Sequence, residues 1–252
     1  MMNNVSVVSY LNTAPFVYGL KKADYRNRNW GYSLDIPAVC AEKLMNGESV
    51  IGLVPVAVLA GLPHYFIVSD TCIGAVGEVD SVVLLHEVPL QEIKQVVLDY
   101  QSRTSVQLCR LLFKDYWNQD VDFLPSKGDV HAHVHGNTAA VLIGDRVFEH
   151  AHKFRFATDL SEAWNTWTGL PFVFAVWASL KKMDDSFIAD FNEVISLGFS
   201  HLEEVISDAV KTYPAHYPVE NYLRNRISYT LDASARKGME TFLSKLGKLN
   251  SA

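Results

Sequence analysis

The sequence has little of what marks membrane, secreted or disulfide-linked proteins. Its three cysteines, Cys40, Cys72 and Cys109, are scattered and form no C-x-x-C pair, so we expect reduced core thiols. No run reaches the ~20 uncharged apolar residues of a membrane span, and the first residues lack the basic segment of a secretory signal. These absences predict a cytoplasmic protein without a membrane partner.

Basic runs and cofactor motifs are absent as well. The formal net charge is −6, which argues against nucleic acid as the partner. Without a cofactor fingerprint in the sequence, we expect a protein that needs no cofactor. What the chain does have is 252 residues, 49% of them hydrophobic and 20% charged, enough to bury the core of one large domain or of two lobes.

The first strand–helix unit contains a stretch of small polar residues. Residues 5–8 are mostly apolar and β-branched and predict a buried strand, and residues 16–22 predict a helix with Pro15 in its opening turn. Between them, backbone N–H groups and the Asn12 amide converge on one spot, which is typical of an anion or carbonyl site. An ordinary strand-to-helix turn is the simpler alternative. The stretch is Ser9-Tyr10-Leu11-Asn12-Thr13-Ala14-Pro15.

Strand and helix signals alternate along most of the chain. They predict an α/β fold with a mostly parallel sheet, whose ligand site lies at the carboxyl ends of strands, where Asn12 and Pro55 fall. The predicted strands are 5–8, 32–36, 50–54, 81–85, 96–99, 139–143 and 172–178, and the predicted helices are 16–22, 37–45, 55–60, 106–116 and 146–150.

Two such strand–helix series are joined by the long extended segments 81–85 and 172–178. A double connection of this kind predicts two lobes with two hinge crossovers and a ligand site in the cleft between them. We assign residues 1–87 and 179–252 to the first lobe, together with the carboxyl-terminal helices, and residues 88–178 to the second.

The second series carries a polar helix start of its own. Hydroxyl and N–H groups of Ser102, Thr104 and Ser105 precede or open the predicted helix, with Arg103 beside them. Plain helix capping explains the same pattern equally well. If both polar turns face one cleft, they suit a small molecule with two carboxylates.

Several segments, in this order, resemble the chorismate dehydratases of the futalosine-type menaquinone pathway. The resemblance extends from Val5 to about Ala178, and its specificity comes from the whole set of segments rather than from any one of them. The segments are Ser9-Tyr10-Leu11-Asn12-Thr13-Ala14-Pro15, Gly52-Leu53-Val54-Pro55-Val56, Ser81-Val82, Ser102-Arg103-Thr104-Ser105, Ile143-Gly144-Asp145 and Trp167-Thr168-Gly169-Leu170-Pro171-Phe172-Val173-Phe174-Ala175.

This resemblance implies a fold similar to type II periplasmic binding proteins, used as a cofactor-free hydro-lyase. The implied reaction dehydrates chorismate, a dicarboxylate, to 3-[(1-carboxyvinyl)oxy]benzoate, an intermediate of menaquinone biosynthesis. By the resemblance, Asn12 and Ser81 are the catalytic residues that contact the reacting part of the substrate. The implied substrate-binding residues are Ser9, Tyr10, Pro55, Ser102, Arg103, Thr104, Ser105, Gly144, Asp145, Thr168 and Gly169.

These segments supply no obvious general base. Asn12, Ser81 and the hydroxyls of the second lobe are poor bases near neutral pH, and Arg103 stays protonated. Asp145 opens a predicted helix, so capping that helix is its favoured role over acid–base catalysis. We therefore expect the enolpyruvyl carboxylate of the substrate to abstract the proton in an intramolecular step.

Some alternatives stay open beside this interpretation. His131, His133 and His135 would share one face if they lay on a strand, which resembles a metal site, but no other metal-ligand spacing supports them. Trp167 is either a core residue or a wall of the cleft. Two other functions fit the same fold, a solute-binding or sensor module for a small carboxylate and the sibling 1,4-dihydroxy-6-naphthoate synthase.

Overall fold

The computed structural model describes residues 3–23 and 30–250, and the strands of this part of the chain form two sheets. The strands are β1 (Asn3–Val8), β2 (Trp30–Asp35), β3 (Ile51–Pro55), β4 (Phe66–Ala75), β5 (Val82–His86), β6 (Gln95–Leu98), β7 (Asp122–Pro125), β8 (Thr138–Ile143), β9 (Phe156–Asp159), β10 (Phe172–Ser179) and β11 (Ser228–Thr230).

Helices cover the sheets. They are α1 (Ala14–Lys22), α2 (Pro37–Met45), α3 (Val56–Leu59), α4 (Thr104–Leu111), α5 (Arg146–His150), α6 (Leu160–Thr168), α7 (Asp185–Ser200), α8 (Leu202–Thr212), α9 (Val219–Asn221) and α10 (Ala233–Asn250). Two π-helical turns, Leu112–Tyr116 and Tyr222–Arg226, continue α4 and α9. The α/β class predicted from the sequence is confirmed, and α2 and α5 have the predicted bounds.

Both sheets are mixed, so the prediction of a mostly parallel sheet is wrong. The first sheet has the order β11-β4-β10-β3-β1-β2 and the second the order β7-β6-β8-β5-β9. The parallel pairs are those of β1 with β2 and β3, and of β6 with β7 and β8. The antiparallel pairs include β10 with β3 and β4, and β5 with β8 and β9, because β5 and β10 are the strands that the chain enters after crossing between the lobes.

The crossovers lie earlier than the boundaries predicted at residues 87 and 178. β5 is hydrogen-bonded on both sides within the second sheet, and β10 on both sides within the first. A strand paired on both sides cannot also serve as a connection. The chain therefore crosses in the shorter segments 76–81 and 169–171, just before each of these strands.

The segment that leads into the cleft is fixed by a close approach of α1 to α7. A Cβ atom added at Gly198 would lie 1.9 Å from the Pro15 carbonyl oxygen, so only glycine lets the two backbones come this close. Phe16 packs edge-on against Trp177 of β10, with ring centroids 5.3 Å apart. These contacts hold the turn that precedes α1 against the first sheet.

No helix within residues 3–23 and 30–250 is long and apolar enough to cross a membrane. The last helix, α10, packs on β10 and α3 of the first lobe and also on α4 of the second. It therefore contacts both lobes, beyond the first-lobe position expected for the carboxyl-terminal helices.

Candidate functional site

A cavity lies between the two lobes. Much of its wall is apolar, including Val8, Ile73, Val79, Val82, Ile143 and Phe174. Most of the site residues predicted from the sequence also line it: Tyr10, Asn12, Pro55, Ser81, Ser102, Arg103, Thr104, Ser105 and Gly144. Because both lobes contribute, a ligand in this cavity would contact both of them.

Four of the predicted residues lie outside the wall. Thr168 and Gly169 end α6, where the Thr168 hydroxyl donates to the Trp164 carbonyl at 2.8 Å and accepts from the Leu170 N–H at 3.2 Å. Ser9 is exposed, and Asp145 lies behind the cavity. Trp167 stacks on Tyr116 with centroids 5.7 Å apart, so it does not wall the cleft. The order of motifs along the chain does not show whether a residue lines the cavity or only stabilises a neighbouring turn.

Tyr10 crosses from the first lobe to the second. Its Oη donates to Gln101 Oε1 at 2.6 Å, and its ring lies directly on Gly144. Gly144 has φ +71°, and a Cβ atom there would come within 2.9 Å of Tyr10 Cζ. Glycine is therefore required at this position for two reasons, the left-handed backbone and the ring that packs on it.

Asp145 forms a second bridge between the lobes instead of the predicted helix cap. Its side chain makes no capping hydrogen bond to α5. Both carboxylate oxygens instead accept from the Leu11 N–H of the first lobe, at 3.0 and 3.1 Å. Burial raises the pKa of Asp145 to about 6, with the Leu11 N–H acting in the opposite direction. The prediction of a cap is wrong because the carboxylate binds the Leu11 N–H across the cleft instead of the N–H groups of α5.

The polar start of α4 is partly occupied by the protein itself. Ser102 Oγ accepts from the Ser105 N–H at 3.1 Å, which is the predicted capping bond. Thr104 Oγ1 accepts from the Ala57 N–H at 3.1 Å and donates to the Phe174 carbonyl at 3.0 Å, so it joins the lobes. The Ser105 hydroxyl has no hydrogen bond to residues 3–23 or 30–250 and can donate to a ligand.

Arg103 is the one charged side chain among the described residues that line the cavity. Its guanidinium donates to the Tyr100 carbonyl at 3.2 Å and lies 3.8 Å from Glu42 across the cleft. The side chain is 44% exposed, so the pair with Glu42 is weak and the guanidinium is available to an anion. The lining therefore combines one cation with neutral hydrogen-bonding groups.

Tyr222, a residue that sequence reasoning missed, contacts both Ser81 and the side chain of Asn12. Tyr222 is fully buried and donates from Oη to Ser81 Oγ at 2.7 Å. Asn12 Oδ1 is buried and has no partner among the described residues, while Tyr229 Oη donates to the Asn12 carbonyl at 2.9 Å. No local pattern around Tyr222 or Tyr229 signals a site, because both come from the carboxyl-terminal segment that folds back on the first lobe.

The contact between Gly144 and Tyr10 yields a prediction on stability. We expect Gly144→Ala to lower the free energy of unfolding by about 1–2 kcal/mol for the left-handed backbone, and by about 1–3 kcal/mol more for the clash with Tyr10. Gly169→Ala is the matched control, since Gly169 has φ +69° and nothing within 4 Å of an added Cβ. Urea denaturation measures both variants, and equal losses would contradict a specific contact with Tyr10.

The three histidines do not lie on a strand, the arrangement that a shared metal face would have required. Residues Val130–His133 form a 3-10 turn rather than a strand, and His131 stacks on His150 with ring centroids 3.7 Å apart. Within residues 3–23 and 30–250, no three histidine, cysteine, aspartate or glutamate side chains are grouped so that they could hold a metal ion. The sequence pattern alone carries no case for a metal site here.

Two mixed sheets, joined by two crossovers around a cleft, define a protein with a fold like that of periplasmic binding proteins. The structure of protein AF1704 from Archaeoglobus fulgidus is similar, with a TM-score of 0.75 and 16% identity over 98% of this chain and 97% of that one. The Candida albicans CA3427 product, described as having the generic periplasmic binding protein fold, has a TM-score of 0.67 and 11% identity, covering 100% of this chain and 92% of that one. These similarities confirm the predicted fold.

The chain belongs to the menaquinone biosynthesis family, whose sequence model matches residues 3–248. It is also 28% identical over 261 aligned positions to the chorismate dehydratase of Thermus thermophilus, which covers 94% of this chain and 93% of that protein. The family predicted from the ordered motifs is confirmed.

Proposed function

We propose that the protein is a chorismate dehydratase, a hydro-lyase that forms 3-[(1-carboxyvinyl)oxy]benzoate for menaquinone biosynthesis. Membership of the family and the relative in Thermus thermophilus support this function. The observation that carries it is the composition of the cavity wall. Among the described lining residues there are hydrogen-bond donors and one guanidinium, but no carboxylate and no imidazole.

Such a wall suits an anionic substrate that supplies its own base. Chorismate has a carboxylate on the ring and another on the enolpyruvyl arm. We assign Arg103 and the Ser105 hydroxyl to one carboxylate of the substrate, and Asn12 and Ser81, which line the same cavity, to its reacting carbons. The apolar residues around them exclude water, which strengthens each of these polar interactions.

The reaction removes the proton at C3 and the hydroxyl at C4. The electron pair of the C3–H bond is first delocalised through the diene toward the ring carboxylate and then forms the C3=C4 bond as the C4–O bond breaks. The hydroxide leaves with the proton as one water molecule, and the ring becomes aromatic. Hydrogen bonds from positioned donors to the charge that builds up lower the barrier.

We assign proton abstraction to the enolpyruvyl carboxylate, which is attached through oxygen to C3 itself. An intramolecular base avoids the entropy cost of positioning a separate group. The protein candidate from the sequence, Asp145, does not line the cavity, and both its oxygens accept from the Leu11 N–H. The role of the protein in this step is to fold the arm back and to exclude water.

We place the reaction in the cytoplasm. Cys40, Cys72 and Cys109 are buried free thiols, as in proteins of reducing compartments. Burial raises the pKa of Cys40 and of Cys72 to about 12, so neither forms a thiolate near neutral pH.

The proposed function is tested by incubating the purified protein with chorismate and separating the products by chromatography. We expect 3-[(1-carboxyvinyl)oxy]benzoate to form, and to form at the same rate after the protein has been treated with a chelator. Absence of the product would reject the function. Loss of activity on chelation with recovery on adding zinc would reject the cofactor-free mechanism.

Asp145→Asn separates the two possible bases. The amide keeps an acceptor for the Leu11 N–H, so we expect kcat to stay within about fivefold of the wild type, well short of the effect of removing an acid–base group. A loss of about 10⁴-fold would make Asp145 the base.

The same variant has a signature in stability. The pKa of Asp145 is raised in the folded protein to about 6, so ionisation costs stability as the pH rises from about 4 to 6. Asp145→Asn removes this cost, and its melting temperature relative to the wild type should therefore rise between pH 4 and 7. A constant difference across this range would contradict the raised pKa.

A further inference from the structure

Tyr222 is a buried hydroxyl donor directly behind the cavity wall. It begins the π-helical turn Tyr222–Arg226 and is completely inaccessible to solvent. Its Oη lies 2.7 Å from Ser81 Oγ, and the residue itself is not part of the lining. The side chain therefore acts on the cavity through the lining residues it contacts, Ser81 by a hydrogen bond and Asn12 through its amide.

The direction of this hydrogen bond determines where the Ser81 hydrogen points. Burial raises the pKa of Tyr222, outweighing the opposite effects of Ser81 and of the Asn12 amide, so the phenol keeps its proton. A phenol has one hydrogen, which Ser81 Oγ accepts. Ser81 Oγ has no other partner within residues 3–23 and 30–250, so its own hydrogen is free to point into the cavity.

Ion pairs hold Tyr222 in this position. Arg226, at the end of the same turn, donates from Nε to Asp80 Oδ2 at 2.7 Å and pairs through Nη1 with Glu78 at 2.8 Å. Phe148 packs edge-on against the Tyr222 ring, with centroids 5.1 Å apart. The turn is thus fastened to the crossover that carries Ser81, and the phenol has little freedom to turn away.

We propose that Tyr222 is a positioning residue for Ser81, which it orients so that the serine hydroxyl donates to the substrate. The inference rests on the proposed function and assigns the C4 oxygen that leaves the ring as the acceptor of the Ser81 hydrogen bond. Tyr222 takes no part in proton transfer. Its hydroxyl restricts Ser81 to the rotamer and hydrogen position that the transition state needs.

A double-mutant cycle with Tyr222→Phe and Ser81→Ala tests the proposal. We expect Tyr222→Phe to lower kcat for chorismate by about tenfold, the scale of one hydrogen bond, with KM within about threefold. In the Ser81→Ala background the same change should lower kcat by less than about threefold, because Tyr222 acts mainly through Ser81 and only its contact with the Asn12 amide remains. The double variant should also melt at a higher temperature than Ser81→Ala, which leaves a buried phenol without an acceptor.

Tyr229→Phe is the matched control, since its hydroxyl donates to the Asn12 carbonyl rather than to Ser81. Its effects on melting temperature and kcat should be the same with and without Ser81. If the effects of Tyr222→Phe on kcat are also additive with Ser81→Ala, the positioning role is wrong. If the wild type does not convert chorismate, the proposed function is wrong. The melting temperatures then test the contact on their own: if the changes caused by Tyr222→Phe and Ser81→Ala are additive, Tyr222 is not coupled to Ser81.

Discussion

Chorismate with its enolpyruvyl carboxylate converted to the primary amide is expected to bind this protein and to remain unreacted. The amide keeps the size of the arm and its hydrogen-bonding atoms but is not a base. Intramolecular bases act with effective concentrations of about 10⁵–10⁸ M, so their loss should lower turnover by at least ~10⁴-fold. Arg103 and the Ser105 hydroxyl line the same cavity, and under the proposed function they would still bind the ring carboxylate, so we expect Kd to change by less than about tenfold.

The matched control is an analogue in which the enolpyruvyl double bond is reduced and the carboxylate kept. It should be dehydrated at a rate within about tenfold of chorismate, because its base is still attached to C3. Calorimetry gives Kd for each compound, and chromatography gives the rate. If the amide reacts at nearly the rate of the control, the enolpyruvyl carboxylate is not the base, and Asp145 becomes the candidate.

The fold was predictable because most of its signals are local. Pro37 at the first position of α2 and Gly47 shortly after its end mark that helix in the sequence, and the structure places it at Pro37–Met45. Strand direction was not predictable in the same way. Whether β10 runs parallel or antiparallel to β3 depends on which lobe the chain comes from, and no local pattern contains that information.

The candidate site was predictable to the extent that it follows strand ends. Asn12 and Pro55 come after β1 and at the end of β3, two neighbouring strands of one sheet, and both line the cavity. The contact of Tyr222 with Ser81 was not predictable, because the two residues are 141 positions apart and meet only when the carboxyl-terminal segment folds back on the first lobe. Asp145 was found but given the wrong partner, since the Leu11 N–H reaches it only when the lobes face each other.

Replacing Asn12 or Ser81 with alanine is expected to lower kcat by about ten- to a thousand-fold, the loss that follows removal of one positioned hydrogen bond to developing charge. Asn12 Oδ1 is buried at the cavity without a partner in the described part of the chain, so Asn12→Ala removes no bond of that oxygen, and its cost in stability should be limited to the contact of the amide with Tyr222. Ser81→Ala differs, because the buried Tyr222 hydroxyl loses its acceptor. We expect it to cost about 1–3 kcal/mol of stability.

Controls for these variants remove the same groups from elsewhere in the first lobe. Ser69→Ala deletes a buried hydroxyl that bonds only locally, to Thr71, and Asn192→Ala deletes an amide that donates to the Val68 carbonyl at 3.0 Å. Neither residue lines the cavity, so kcat should stay within about twofold of the wild type while stability falls. Replacing a site residue should therefore lower kcat strongly, whereas replacing a structural residue should lower stability alone. Any loss of stability in a site variant depends on the hydrogen bonds that the residue makes within the protein. If kcat of both Asn12→Ala and Ser81→Ala stays near the wild-type value, these residues are not catalytic. The proposal that the reacting carbons of the substrate lie against them is then wrong.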